Sequence, residues 1–141
     1  MVLHGFNRCT DTIEILVTAD GSVRARNQFG VGTASVRLRF IAAGDKVTSG
    51  ANDLRFPGPS DVTVAIDGYR VVALPILIGL KVASGLASEQ RRLRDLSDVQ
   101  RLITTLRLPR DFGGELDPSA RDEYLRLWTI AQTPDFHEQG G

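Results

Sequence analysis

Cysteine is nearly missing from this chain: Cys9 is the only one among 141 residues, so no internal disulfide can form and no Cys/His cluster of metal-binding spacing exists. A reducing compartment follows as the simpler expectation. Histidine is almost as scarce. His4 and His137 have no carboxylate or serine at a recognisable spacing, which removes them as catalytic candidates. Long apolar runs are missing too, since Val71 to Leu80 is too short to span a bilayer. The N-terminus lacks the charged-then-apolar pattern of a signal peptide, so a cytoplasmic protein with no membrane partner is expected. Neither sign of charge dominates: 17 basic residues balance 17 acidic ones. The sum creates no field for nucleic acid or an anionic membrane, although a local basic patch is compatible with it. Glycine-rich phosphate loops are also lacking. Gly30-Val31-Gly32 has no third glycine or following helix, and Gly44-Asp45-Lys46 is not a P-loop.

What is present suits one α/β (α+β) domain over residues 1–132, followed by a flexible tail at 133–141. Ile13 to Val17, β-branched and closed by Ala19-Asp20-Gly21, predicts a strand. Ser22 to Phe29 fits either a short helix or a polar loop. Val31 to Ala42 predicts a second strand, with Val36, Leu38, Phe40 and Ala42 on one side and Arg37, Arg39 and Ile41 on the other. Asp45 to Asp61, rich in Gly, Pro, Ser and Asn, is long for a loop and so is either functional or partly mobile. Val62 to Ile66, Asp67-Gly68 and Tyr69 to Val72 form the strongest hairpin signal in the chain.

Ala73 to Ile103 reads as two helices joined by a short polar turn. Pro75 suits the first turn of one helix and Gly85 the left-handed position past its end. Leu93, Leu96, Val99, Leu102, Ile103 and Leu106 recur at helical spacing in the next, with Arg92, Arg94, Asp95 and Asp98 crowding its first turns. Leu108-Pro109 breaks that pattern, and Gly113-Gly114 weakens any helix before Leu116. Asp117-Pro118 opens a last helix to about Gln132, burying Tyr124, Leu127, Trp128 and Ala131.

Several motifs, spread in order over most of the chain, carry a family resemblance. They are His4-Gly5 with Arg8 and Thr10; Ile13 to Val17; Ala43-Gly44-Asp45; Arg55-Phe56-Pro57; Leu80-Lys81 with Ala83-Ser84-Gly85; Arg92 to Val99; and Leu116-Asp117-Pro118 with Arg121, Tyr124 and Leu127-Trp128. Together they resemble the minimal nucleotidyltransferases, small bacterial domains of the DNA polymerase β-like nucleotidyltransferase fold, many of them toxin-like or paired with a helical partner. The resemblance implies a small mixed sheet with C-terminal helices. It also implies two strand aspartates at i and i+2 and a third carboxylate from a neighbouring strand, holding divalent metal.

On this chain those three positions fall on Thr12, Glu14 and Arg39, so one of the three is acidic. A threonine hydroxyl brings no charge to Mg²⁺, and a guanidinium repels it. Asp11 is the alternative acid, but it lies three residues from Glu14, an odd offset that puts the two on opposite faces of a regular strand. Asp11 and Glu14 are thus vestigial catalytic candidates, with Glu14 also the vestigial metal ligand. Lys81, Arg92 and Asp95 take the family's nucleotide-binding positions. Beside these readings stand plainer ones: Glu14 as an ion-paired strand residue, and the charged set as a network in which the carboxylates of the second helix salt-bridge its arginines.

The family's elements before His-Gly, including a Gly-Gly pair that cradles phosphates, have no counterpart ahead of His4, and the family's glutamate before Lys81 is Gly79. A gene start placed at an internal methionine, or a decayed relative, accounts for both. The expectation is a degenerate, inactive nucleotidyltransferase-like protein that retains nucleotide or protein binding and needs no cofactor. The alternatives are an active transferase using Mg²⁺ and a nucleoside triphosphate to modify protein, RNA or a small acceptor, and a non-catalytic module that binds an antitoxin-like helical protein. Loss of a first strand would leave an unpaired edge, so self-association is expected as well.

Overall fold

A computed structural model describes residues 12–21, 37–47, 54–60 and 62–133. The expectations for His4-Gly5, Cys9, Asp11, Ser22 to Phe29 and the tail beyond Thr133 lie outside the described residues. Among the described residues the fold is mixed α/β, with three α-helices after the strands. Its strands divide, among the described residues, into two separate two-stranded sheets.

In the first sheet, β1 (Thr12–Val17) runs parallel to β2 (Arg37–Ala42), with Glu14 opposite Arg39 and Leu16 opposite Ile41. Parallel neighbours need a crossover between them, and residues 18–36 supply its length. The face bearing Arg39 also bears Ile41, which is buried at 8% exposure, so this face passes from solvent to interior within two residues. The expected division of β2 into sides places Arg39 and Ile41 together, as the alternation requires.

Of the segment from Asp45 to Asp61, the described residues 45–47 and 54–56 face each other and are joined by hydrogen bonds. Lys46 pairs with Arg55 in an antiparallel bridge, Gly44 and Phe56 share a 2.8 Å bond, and the Arg55 guanidinium donates to the Gly44 carbonyl. In the second sheet β3 (Thr63–Ile66) and β4 (Tyr69–Val72) form the expected hairpin. Asp67 and Gly68 have φ of 51° and 80°, the two positive values of a type I′ turn.

Three α-helices follow: α1 (Leu74–Ala87), α2 (Glu89–Leu106) and α3 (Pro118–Ala131), with a 3₁₀ turn at Arg110–Glu115. Gly85 does not end α1, which continues to Ala87. Its role is close approach, since a Cβ there would lie 2.8 Å from Leu96 Cγ and Cδ2. The left-handed terminus sits instead at Arg107, φ 51° and ψ 46°, after α2. There the Arg107 N–H donates to Thr104 O and the Leu108 N–H to Ile103 O, closing a Schellman motif just before Pro109. Asp117 caps α3, its Oδ1 accepting from the Ser119 N–H at 2.9 Å. The Ser119 hydroxyl and then its N–H hold this carboxyl below the usual aspartate range.

The described core is helical. Ile78 and Val82 of α1, Leu96, Val99, Leu102 and Ile103 of α2, and Leu116, Ala120, Tyr124 and Leu127 enclose it. Trp128 and Ala131 pack on its margin rather than inside it. Leu93, expected on the packed stripe, is 85% exposed. Six residues from Val99, it is turned about 120° around the helix, away from α1 and α3.

Candidate functional site

Two charged groups occupy the positions of interest. On the sheet, the parallel register carries Glu14 and Arg39 to the same face, and Arg39 Nη1 donates to Glu14 Oε1 at 2.9 Å. Both side chains are about half exposed, at 54% and 51%. Such a pair contributes only about 0–1 kcal/mol to stability, but it neutralises the one carboxylate at the three positions described. A donor set of one carboxylate whose oxygen is already taken by a guanidinium does not fit Mg²⁺, which is bound through carboxylate and phosphate oxygens. Among the described residues no group of three or more His, Cys, Asp or Glu side chains could hold a metal ion.

The second group lies between α1 and α2. Lys81 Nζ donates to Asp98 Oδ2 at 2.9 Å and to Asp95 Oδ1 at 3.4 Å. Ser84 Oγ donates to the other Asp95 oxygen at 2.7 Å. Lys81 and Ser84 sit one helical turn apart, as do Asp95 and Asp98, so two i,i+3 pairs face each other across the helix interface. The Lys81, Asp95 and Asp98 side chains are only 17%, 14% and 7% exposed, which makes the network part of the packing.

Arg92 joins the same interface by another route. Its Nε donates to Gly85 O at 3.4 Å and its Nη2 to Leu86 O at 3.5 Å, placing a cation on the carbonyl end of α1. The expected salt bridges between the carboxylates of α2 and its own arginines are therefore corrected. The acids turn to Lys81 on α1, and Arg92 turns to backbone oxygens. Helix geometry explains this, because Asp95 and Asp98 lie toward the α1 side, where a lysine can reach them with less desolvation cost than an unpaired acid would incur.

Of the residues singled out from the sequence, Lys81, Arg92 and Asp95 thus gather at one interface, and Glu14 meets Arg39 at another place. No hydrogen bond or ion pair joins Glu14 or Arg39 to Lys81, Arg92 or Asp95. Asp11 lies outside the described residues. Ser84 was not singled out for a role of its own; its position three residues after Lys81 was the available signal. No helix among the described residues is long and apolar enough to cross a membrane. Compared with protein-family models, curated proteins and solved structures, the chain finds no match.

Proposed function

We propose that this chain is a degenerate nucleotidyltransferase-like protein that does not transfer nucleotides and acts through binding. The observation that supports the reading is the 2.9 Å contact between Arg39 and Glu14. On the alignment implied by the family resemblance, these are the positions of the second and third metal-binding carboxylates, and here one has become the counter-ion of the other. A guanidinium is protonated at every accessible pH, so no change of conditions restores the negative cluster. The Lys81 group retains the charge types of the family's nucleotide-binding positions, but Lys81 and Asp95 are already committed to each other. Nucleotide affinity is therefore expected to be weak.

The test is incubation of the chain with labelled nucleoside triphosphates, Mg²⁺ or Mn²⁺ and a cell extract. No transfer is expected. Reproducible labelling that disappears in Glu14→Ala would overturn the proposal and establish the active-transferase alternative.

A further inference from the structure

The chain has equal numbers of acids and bases, but its fold separates them on α2. This helix carries Arg91, Arg92, Arg94 and Arg101 against Glu89, Asp95 and Asp98. Two of the three acids are drawn inward onto Lys81, and Arg92 is drawn onto the end of α1. Arg91, Arg94 and Arg101 are left exposed, and none makes a side-chain hydrogen bond or ion pair among the described residues. At about 100° per residue the three fall within a sector of roughly 80°, spread over about 15 Å of helix; Asp98 lies in the same sector, but buried and bound to Lys81. Exposed Gln90, Ser97 and Thr105 border them, all capable of donating hydrogen bonds.

We propose that the three exposed arginines on this flank of α2 bind the phosphodiester backbone of nucleic acid, without reading its sequence. Arginine with serine, threonine and glutamine is the donor set that phosphate oxygens accept from, and such contacts position a backbone without specifying bases. Each strand of a duplex presents a phosphate about every 3.4 Å of axis, so about 15 Å of helix faces several charges at once. An acidic peptide is the competing polyanion, and the face suits it less. Helix-in-groove docking relies on apolar anchors at i, i+3 or i+4, and i+7. The one fully exposed apolar side chain of α2 is Leu93, about 80° around the helix beyond the arginines, and its outward neighbours Gln90, Ser97 and Gln100 are all polar. The inference is independent of the nucleotidyltransferase reading, since it uses neither Glu14 nor the Lys81 group as a ligand.

Fluorescence anisotropy of the full chain against a labelled mixed-sequence RNA strand, a labelled DNA duplex and a labelled polyglutamate peptide tests it. Binding to both nucleic acids at low salt is expected, with log K falling against log salt at a slope of about −2 to −3. R94Q/R101Q should weaken binding at least about tenfold and reduce the slope to about −1. R91K/R94K/R101K, which keeps the charge, should retain most of the affinity. Arg126→Gln, which removes a guanidinium already paired with Glu123 on α3, should change nothing. Circular dichroism melts establish that the variants stay folded. The proposal fails if nucleic acid does not bind, or if the folded R94Q/R101Q variant binds unchanged. It fails equally if polyglutamate binds as tightly as RNA through the same arginines.

Discussion

Two glycines of α1 show how much a single missing Cβ can matter. At Gly85 an added methyl would meet Leu96 Cγ and Cδ2 at 2.8 Å, inside the helix interface, and one of the helices must yield. Gly85→Ala is therefore expected to cost about 1–3 kcal/mol. At Gly79 the same methyl meets nothing within 4 Å, so Gly79→Ala should gain about 0.5–1 kcal/mol from helix propensity. Paired denaturant titrations would read both, with opposite shifts of midpoint expected. Tyr124 makes a second residue-level case. Its ring is fully buried, its hydroxyl donates to Pro109 O at 2.9 Å, and burial, with Asp111 and Glu115 adding to it, pushes its pKa up to about 12. Above pH 10 the unfolded chain loses this proton and the folded chain keeps it. Stability is thus complete below pH 10 and falls by about 1.4 kcal/mol per pH unit until about pH 12. Tyr124→Phe should lose that difference in alkaline slope, and at neutral pH should cost about 1 kcal/mol for the broken hydrogen bond.

At the scale of elements, the contact between α1 and α2 combines an apolar stripe with a nearly enclosed charge network. Removing the lysine should be far worse than removing the whole network, because two carboxylates would remain close together and poorly solvated. Lys81→Met is expected to destabilise by about 3–5 kcal/mol in urea unfolding. Adding Asp95→Asn and Asp98→Asn should recover a substantial part of that loss. Equal stability of the single and triple variants would show that the carboxylates find water or other donors. The same network shapes the outer surface. By burying Asp98, which lies in the same helical sector as Arg91, Arg94 and Arg101, it leaves the arginines as the exposed charges there, which couples an interior feature to the proposed nucleic-acid contact.

At the scale of the whole molecule, the ten buried apolar residues clustered together among the described residues lie between Ile78 and Leu127. The described sheets are two-stranded, and pairs of strands are marginal without cover. Hydrogen exchange is therefore expected to divide the chain. Amides in the middle of α2 and α3 should exchange only through global unfolding, while those of β1 and β2 open at lower free energy. Equal protection of β1 and α2 would show that the sheet belongs to the same cooperative unit.

Local chemistry was sufficient to determine the hairpin, because Asp67-Gly68 meets the backbone demands of its turn within two residues. It likewise determined the start of α3, where Asp117 and Pro118 act on the neighbouring turn alone, and the stop after α2 at Leu108-Pro109. The mixed α/β class followed from the strand and helix signals, whereas the meeting of Glu14 with Arg39 needed the adjacency of two strands, which only the resemblance implied and the parallel register of β1 and β2 supplied. What a helical repeat could not show was which neighbour each residue would meet. Leu93 and Leu96 share a spacing, yet one is exposed and the other lies under Gly85, because α1 covers only one side of the helix. Gly85 looked like a terminus since a glycine's lack of a side chain serves a left-handed turn and a close crossing equally well. The acids of α2 looked like partners for its own arginines until the packing of α1 brought Lys81 within reach. Periodicity sets a residue's direction around its own axis, whereas the partner in that direction is set by how the elements pack.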